Sequence, residues 1–591
     1  MAKTKTRPNP KTMRRVLKYI GKYKLLLPVS LLLAVVTVAL TLYIPILIGQ
    51  AIDVIGVLPI DLSAIVELFI LGAILIGITA LASWLMSIIN NRICYDVVRD
   101  VRRDAFNKIE RLPLSYLDAH SRGDIVNRVI NDADHFSEGL LLGFTQLFTG
   151  VLTIAGTLAF MIYINWIVAI VVVVLTPISL VIAKYIATHT YSMFKLRSEC
   201  EADESAFIEE SITNQKLIKA FSYEDETQEK FGRINDRLSA STLRAIFYSS
   251  LTNPTTRFVY SVVYAAVALT GAIMAISSKD GAVAGIVFSV GQLASLLSYA
   301  NQYTKPFNEI SGVITEFQNA LACASRIFEL IDAEAEEPDA PDALTLEDAE
   351  GSVELKKVYF SYDPSHPLLE DVNVEAKPGE RIAIVGPTGC GKTTLINLLM
   401  RFYDVNSGEI LVDGHDASGL TRSSLRASYG MVLQDTWLFR GTVKENISIG
   451  KEGADDGEII AAAKAAHAHS FIKRLPKGYD TVIEEGGENL SQGQRQLISI
   501  ARIMLSLPPM LILDEATSSI DTRTEMRIQA AFAEMMRGRT SFIVAHRLST
   551  VAEADLILVM RDGHIIETGS HAELLAKGGF YSELYNSQFA H

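Results

Sequence analysis

The chain has 591 residues, 49% of them hydrophobic, with a mean hydropathy of +0.25 and a formal net charge of −13. The length indicates several domains, the hydropathy is high for a soluble protein, and the acidic balance argues against a nucleic-acid partner. The four cysteines are far apart and form no C-x-x-C pair, which argues against a disulfide framework or a cysteine zinc site.

The N-terminal segment, residues 1–24, is basic and contains MRRVLKYIGKYK, which mixes basic and apolar residues. This pattern predicts an amphipathic helix that lies on the inner leaflet of a membrane. The apolar run that follows is too long for a signal peptide, so we expect a membrane span that is retained.

Long apolar runs fill the first half of the chain, and a helix needs about 20 apolar residues to cross the hydrocarbon core. The sequence predicts six spans, with YINW at residues 163–166 as the turn between the third and the fourth. Their ranges are Leu25–Ile52, Leu68–Asn91, two within Gly139–Ala183, Phe258–Ser278 and Gly281–Thr304. We therefore expect a membrane protein with an all-α, six-helix transmembrane domain at 25–325.

Basic residues predict the orientation of these spans. The loop at 53–63 has no Lys or Arg, whereas the long segments at 92–135 and 184–257 are rich in them. By the positive-inside tendency, the long segments and both termini face the cytoplasm. We expect the long segments to extend the membrane helices into the cytosol, in a multi-pass protein of the cytoplasmic (inner) membrane.

The composition changes after the last span. Residues 332–350 hold nine acidic residues, no basic residue and two prolines, which predicts a solvated linker at 326–350. From 351 to 591, short apolar runs such as RIAIVG, MLILDE and TSFIVAH alternate with helical stretches. This alternation predicts an α/β domain.

A phosphate-binding loop is indicated by GPTGCGKTT at 386–394, which follows the strand-like RIAIV and precedes the helix-like TLINLLM. Backbone N–H groups and the helix N-terminus at such a loop favour phosphate. Lys392 is expected to reach the β- and γ-phosphates of ATP, and Thr393 to bind Mg²⁺. Cys390 is either a small filler within the loop or, if exposed, a thiol whose modification would affect nucleotide binding. The nucleotide-binding residues assigned to this loop are Gly386, Pro387, Thr388, Gly389, Cys390, Gly391, Lys392, Thr393 and Thr394.

A second part of the ATPase site is indicated by MLILDEATSSID at 510–521. Its apolar residues predict a buried strand with Asp514 at its end, where the carboxylate would hold Mg²⁺ through water. Successive side chains of a strand point in opposite directions, so Glu515 can face an attacking water while Asp514 faces the metal. We assign Glu515 as the general base.

Six spans followed by a P-loop ATPase domain resemble the half-transporter layout of the ATP-binding cassette (ABC) exporters, and the resemblance covers nearly the whole chain. The segment LSQGQ at 490–494 is similar to the family signature, usually LSGGQ, with Gln492 where Gly is usual. The resemblance implies that Ser491, Gly493 and Gln494 contact an ATP held by the other cassette of a pair.

Further motifs match the family by position, and their roles come from the resemblance. Gln434 in MVLQDTWLF would touch Mg²⁺, and His546 in IVAHRLS would contact the γ-phosphate and the water. Asp521 would lie at the dimer interface, and Tyr362 in VYFSYD would stack on adenine. The catalytic residues assigned are Lys392, Gln434, Glu515 and His546. The metal-binding residues assigned are Thr393, Gln434 and Asp514.

Segments 112–129 and 212–226 resemble the family's coupling helices, with Tyr116, Phe221 and Tyr223 as docking residues. The resemblance implies two chains, as a homodimer or a heterodimer, that export hydrophobic or amphipathic molecules, or flip them between leaflets, by alternating access. Because the spans carry few charges, an apolar and aromatic substrate path is expected. Its candidate residues are Tyr43, Phe144, Phe148, Phe160, Tyr260 and Tyr264. An ATP-gated channel or regulator on the same scaffold, or a dedicated lipid or peptide exporter, is the alternative.

Overall fold

Two units divide the chain, and each has its own hydrophobic core. The computed structural model describes residues 10–57, 59–279, 288–433, 436–514, 521–544 and 551–589. We call Met1–Arg111 with His120–Ala333 the helical unit, and Leu112–Ala119 with Glu334–His591 the α/β unit. The segment 112–119 thus groups with the α/β unit, although it lies between helices of the helical unit in the chain.

Long helices joined by short connections make up the first part of the chain. In chain order they are α1 (Pro10–Ile20), α2 (Leu26–Ile55), α3 (Leu62–Ile109), α4 (Leu114–Ala119), α5 (Arg122–Val129), α6 (Asn131–Leu142), α7 (Phe148–Ile164), α8 (Trp166–Thr213), α9 (Gln215–Ala220), α10 (Glu224–Ser250), α11 (Thr252–Lys279) and α12 (Val290–Asp332). Between α7 and α8, Asn165 has an extended backbone, and its side chain accepts a hydrogen bond from the Ile167 N–H at 3.0 Å. This confirms the predicted turn. Helix α12 ends at Asp332, beyond the domain boundary that the sequence places at 325.

Four helical runs within the described residues are long and apolar enough to cross a bilayer. They are Leu26–Ile55, Leu62–Ile109, Arg122–Ile164 and Arg257–Ile276. Each overlaps one of the predicted spans. The predicted fourth span begins in the apolar helix Trp166–Pro177, and the sixth is described only from residue 288, because 280–287 lie outside the described residues. Apolar side chains are exposed along α2 and α3, as expected for helices that contact the hydrocarbon chains of lipids.

Helix α12 is central to the helical unit because it packs against different helices at its two ends. Near its start, a Cβ on Gly291 would collide with the carbonyl oxygen of Gly49, so glycine permits the close approach of α2 and α12. There, Asp53 accepts a hydrogen bond from the Gly291 N–H at 2.8 Å. Near its end, Arg326 Nε donates to Asp132 of α6 at 2.7 Å. The contact between Asp53 and Gly291 thus joins α2 to the start of α12, and the contact between Arg326 and Asp132 joins the end of α12 to α6.

The aromatic residues predicted for a substrate path have different environments. The Phe160 ring packs 5.8 Å from the Tyr299 ring in the core of the helical unit, and the Tyr260 hydroxyl donates to the Thr304 carbonyl at 3.0 Å. Both side chains therefore serve packing between helices. The Phe144 and Phe148 rings stack on each other at 6.2 Å. The exposed members of the set are Tyr43, Phe148 and Tyr264.

The α/β unit contains a parallel-rich sheet, as the sequence predicts. Its strands are β1 (Val353–Phe360), β2 (Leu369–Ala376), β3 (Arg381–Val385), β4 (Ser407–Val412), β5 (His415–Asp416), β6 (Tyr429–Val432), β7 (Gly441–Thr442), β8 (Val482–Ile483), β9 (Met510–Asp514), β10 (Thr540–Val544), β11 (Leu556–Arg561) and β12 (His564–Gly569). Its helices after α12 are α13 (Lys392–Leu399), α14 (Arg422–Ala427), α15 (Val443–Ser448), α16 (Asp456–Ala465), α17 (His469–Ile472), α18 (Gln492–Ser506), α19 (Thr522–Met536), α20 (His571–Lys577) and α21 (Phe580–Phe589). The sheet orders are β2-β1-β4-β5, β12-β11-β3-β10-β9-β6 and β7-β8.

The acidic linker is largely exposed to solvent, and two of its carboxylates bind arginines of the α/β unit. Arg422 Nη1 donates to Asp339 Oδ1 at 3.0 Å, and Arg426 Nη2 donates to Glu336 Oε1 at 2.9 Å. Both arginines belong to α14, 83 and 90 positions after their partners in the linker. Composition reveals the acidic run, but it does not reveal the cations that neutralise it.

Candidate ATP site

Four predicted site segments leave the same edge of the large sheet. Strands β3, β10, β9 and β6 are parallel neighbours in that order. Their carboxyl ends therefore lie side by side, where ligands of open α/β sheets bind. Residue 386 follows β3, and Asp514 ends β9. Gln434, Glu515 and His546 lie outside the described residues, but β6, β9 and β10 end one or two residues before them.

The loop between β3 and α13 has the backbone of a phosphate cradle. Gly386, Gly389 and Gly391 all have positive φ angles, 155°, 85° and 103°, so the chain can wind tightly before the helix starts at Lys392. The ammonium of Lys392 donates to the carbonyl oxygens of Gly386 at 2.8 Å and Pro387 at 2.9 Å. The lysine thus lies across the mouth of its own loop, beside the N-terminus of α13.

The loop residues divide into an exposed rim and a buried base. Pro387, Thr388, Gly389 and Thr393 are exposed, whereas Gly391 and Thr394 are buried beneath them. Cys390 is only 4% exposed, which favours the small-filler alternative over an exposed thiol. The reason is close packing, since a Cβ on Gly386 would come within 2.8 Å of the Cys390 sulfur.

We expect Gly386→Ala to lower the affinity for ATP roughly 10- to 100-fold, about 1.4 to 2.8 kcal/mol. The added Cβ would collide with the backbone carbonyl of Met560 in β11, so either the loop or that strand has to move. Gly389→Ala is the matched control, because a Cβ there meets nothing within 4 Å and only the positive φ carries a cost, about 1 kcal/mol. Titration with a fluorescent ATP analogue compares the two variants. Equal losses would contradict the importance of the β11 contact.

Two oxygen ligands suited to magnesium are present at this edge of the sheet. The hydroxyl of Thr393 is exposed in the first turn of α13, and Asp514 is half-buried at the end of β9. Hard oxygen ligands of this kind suit Mg²⁺, which is usually held by one or two protein groups together with substrate phosphates. Within the described ranges, no group of three or more His, Cys, Asp or Glu residues forms a metal cluster by itself. The donor set therefore fits a metal that enters with a nucleotide.

The signature segment forms the start of helix α18, and Ser491 is its N-cap. The Gln494 N–H donates to Ser491 Oγ at 3.3 Å, and the Ser491 N–H donates to Gln494 Oε1 at 3.0 Å. This reciprocal pair is a capping box, which fixes the direction in which the helix begins. Gln492 fits the first turn of the helix, so the departure from LSGGQ leaves the helix start intact. Ser491 is exposed and Gly493 is buried.

The signature helix and the P-loop helix belong to different hydrophobic cores of the α/β unit. Helix α18 packs with α15, α16 and α19 in one core, and α13 packs with β1, β2 and β4 in another. Asp521, the N-cap of α19, accepts a hydrogen bond from the Thr524 N–H at 3.0 Å. Hydrogen bonds with Thr524 lower the pKa of Asp521 below its usual value.

Tyr362, predicted to stack on adenine, lies beside the P-loop helix. Asn397 of α13 donates to the Tyr362 hydroxyl at 3.3 Å. The ring makes edge contacts with Phe360 and Tyr403, each at 4.9 Å. The Tyr403 hydroxyl in turn donates to Asp118 of α4. The structure therefore joins the candidate adenine platform to the segment that resembles the first coupling helix.

Sequence reasoning missed Tyr403, Asp118 and Arg502. Arg502 lies in α18, where it donates to the backbone carbonyls of Asn446 at 2.6 Å and Trp437 at 2.9 Å. Burial lowers the pKa of this guanidinium to about 10. Arg502 thus ties the signature helix to the segment that follows Gln434. The sequence holds one signal for Arg502, because it is a single arginine in an otherwise apolar stretch of the helix.

Comparison with known protein families matches residues 27–307 to the ABC transporter transmembrane region and residues 369–518 to the ABC transporter family. The chain is 39% identical over 525 residues to a fatty acid ABC transporter ATP-binding/permease protein of Mycobacterium tuberculosis, with 89% of this chain and 82% of that protein covered. The chain belongs to the ABC transporters. Its transmembrane domain is followed by an ABC ATPase domain that binds ATP, and its ATPase activity drives transport.

Two further similarities place the transporter among the exporters. It is 34% identical over 596 residues to a putative multidrug export ATP-binding/permease protein of Staphylococcus aureus, with 98% of this chain and 100% of that protein covered. The structure resembles that of a bacterial Atm1-family ABC exporter with ATP bound, with a TM-score of 0.75, 29% identity and 99% of each chain covered. The fold class predicted from the sequence is confirmed.

Proposed function

We propose that the transporter is one half of a dimeric exporter of the cytoplasmic membrane, with both termini and the ATPase domain in the cytoplasm. It moves hydrophobic or amphipathic molecules outward, or between leaflets, by alternating access. The observation that carries the dimer is the separation of α13 and α18 into different hydrophobic cores, because two anion-binding helix starts that are packed separately suit two different nucleotides. A second cassette then completes each site.

Each assigned residue of the chain would have its own role in ATP hydrolysis. Lys392 leaves its loop carbonyls for the β- and γ-phosphates, and Glu515 accepts a proton from the attacking water. His546 contacts the γ-phosphate. Bound Mg²⁺ would neutralise charge on the phosphate oxygens, held by Thr393, Asp514 and Gln434.

A mechanical link to the membrane helices is supported at both coupling segments. Asp118 of α4 is hydrogen-bonded to Tyr403, whose ring contacts the candidate adenine platform Tyr362. At the second segment, Phe221 is 76% exposed and Tyr223 is 55% exposed next to α9. Exposed aromatic side chains at the tip of a polar segment suit docking on a partner's cassette. Nucleotide binding can drive the membrane domain only if its affinity differs between the two conformations.

The substrate class follows from the membrane helices. The predicted spans are nearly free of charge, and Tyr43, Phe148 and Tyr264 are exposed. An acyl chain or an amphipathic drug can pack against such side chains, whereas a sugar or an ion would lose its hydrogen bonds to water. The relatives named for fatty acid transport and multidrug export support the same class.

The test is transport by the purified, full-length transporter in liposomes. We expect a fluorescent long-chain fatty acid to stimulate ATP hydrolysis saturably and, while ATP is hydrolysed, to cross the bilayer faster than it does passively. Liposomes with the Glu515→Gln variant serve as the control for passive flipping. An ion current that outlasts hydrolysis, with no movement of the fatty acid, would support a channel and contradict an exporter.

A further inference from the structure

A basic cavity of about 880 Å³ lies along helix α1, at the point where the chain enters the first span. The side chains that line it comprise five cations, one carboxylate and a tyrosine. They are Lys11, Arg14, Arg15, Lys18, Lys22, Asp104 and Tyr19. The cations recur three or four residues apart, so they form one face of α1 and its continuation. Cations therefore outnumber carboxylates among the lining residues.

Part of this charge is already engaged within the helical unit. Arg15 Nη1 lies 2.5 Å from Asp332 at the end of α12, and Lys22 Nζ lies 2.8 Å from Asp100 in α3. The Tyr19 hydroxyl donates to Asp104 at 2.8 Å. Burial and this hydrogen bond raise the pKa of Tyr19 to about 12, so the phenol keeps its proton. These contacts hold α1 against α3 and α12 and fix the walls of the cavity.

Arg14 and Lys18 are the cations left for a ligand. Both are exposed, and neither has an ion pair within the part of the chain that the structure describes. They are one helical turn apart on the same face, so both can reach one phosphate. Arg can bind a phosphate through two parallel N–H groups, and Lys adds a point charge.

The surroundings of the cavity favour a lipid over a soluble anion. Leu17, next to Lys18, is 58% exposed, and Leu25, immediately before α2, is 81% exposed. Exposed leucines beside a basic cavity suit the boundary between headgroups and acyl chains, where a basic amphipathic helix lies with its apolar side in the membrane. The other side of α1 is fixed to the protein, because Val16 and Ile20 are buried.

We propose that this cavity binds the phosphate headgroup of an anionic phospholipid of the cytoplasmic leaflet, with Arg14 and Lys18 as the principal phosphate ligands. A zwitterionic headgroup such as phosphatidylcholine would bring an additional cation close to Arg14 and Lys18. Phosphatidylglycerol brings only the phosphate charge and hydroxyl groups. The site is therefore selective for net negative charge.

Lipid titration followed by native mass spectrometry tests the proposal on the delipidated, full-length transporter. We expect one phosphatidylglycerol per chain to bind more tightly than phosphatidylcholine. Removal of two cations, at about 1 kcal/mol each, should lower the affinity for phosphatidylglycerol roughly 10- to 30-fold in the Arg14→Ala/Lys18→Ala variant. The affinity for phosphatidylcholine should fall less, so the preference for phosphatidylglycerol should shrink.

Three controls make the result decisive. The Arg14→Lys/Lys18→Arg variant keeps the charge and should keep the lipid. The Lys473→Ala/Arg474→Ala variant removes two exposed cations from the α/β unit and should also bind normally. Glycerol phosphate at the same concentration as the lipid should not displace it, because acyl chains contribute to binding. Normal phosphatidylglycerol binding by Arg14→Ala/Lys18→Ala, equal affinity for the two lipids, or displacement by glycerol phosphate would each overturn the proposal.

Discussion

Replacing Glu515 by Gln should abolish ATP turnover while ATP binding persists. Gln has almost the same size as Glu but cannot accept a proton at neutral pH, and general bases contribute roughly 10²- to 10⁴-fold to a rate. Strand β9 ends at Asp514, at the edge of the sheet that also carries the P-loop. Phosphate release measures turnover, and radiolabelled ATP retained after gel filtration measures binding.

Glu553→Gln is the matched control for this variant. It makes the same chemical change at an exposed carboxylate that faces Arg381, at the opposite, amino-terminal end of β3. Its turnover should equal that of the wild type. If Glu515→Gln released phosphate at the wild-type rate, the general base would have to be another group, and the assignment would fail.

The parts of the site that sequence reasoning located are those encoded within a few consecutive residues. A glycine-rich loop after a β-rich run, an aspartate at the end of another, and a Ser-x-x-Gln helix start each carry a local physical signal. The structure has all three in the predicted local form, at β3–α13, β9 and α18. The apolar length of the spans is likewise a local property.

The features that sequence reasoning missed all depend on pairs that are distant in the chain. Tyr403 and Asp118 are 285 positions apart, and Arg422 and Asp339 are 83 apart. No periodicity links such partners, because their proximity is set by packing of the complete unit. Cys390 illustrates the same limit, since the motif places it in a loop but only the neighbouring packing makes it buried.

Two co-expressed chains with different defects should reveal whether each ATP is shared. In the separated combination, one chain carries Lys392→Ala and the other carries Ser491→Asp. In the joined combination, one chain carries both substitutions and its partner carries none. If each site combines the P-loop of one chain with the signature of the other, the separated combination keeps one intact site and the joined combination keeps none.

Ser491→Asp is chosen because Asp caps a helix about as well as Ser, so α18 should still begin at Gln492. Its carboxylate would repel a γ-phosphate by about 3 kcal/mol per pair of unit charges at about 5 Å and an effective dielectric constant of about 20. A repulsion of this size lowers the affinity for ATP roughly 100-fold. Ser491→Asn keeps the cap without the charge and is the neutral control.

The readout is the number of ATP molecules occluded per dimer, with Glu515→Gln present in both chains to prevent turnover. We expect one ATP in the separated combination and none in the joined combination. A site contained within each chain predicts the reverse, because the joined combination then leaves its unmodified chain intact. If the joined combination occluded as many ATP molecules as the separated combination, or more, the shared site would be excluded. The pairing of P-loop and signature helix across two chains would then be excluded as well.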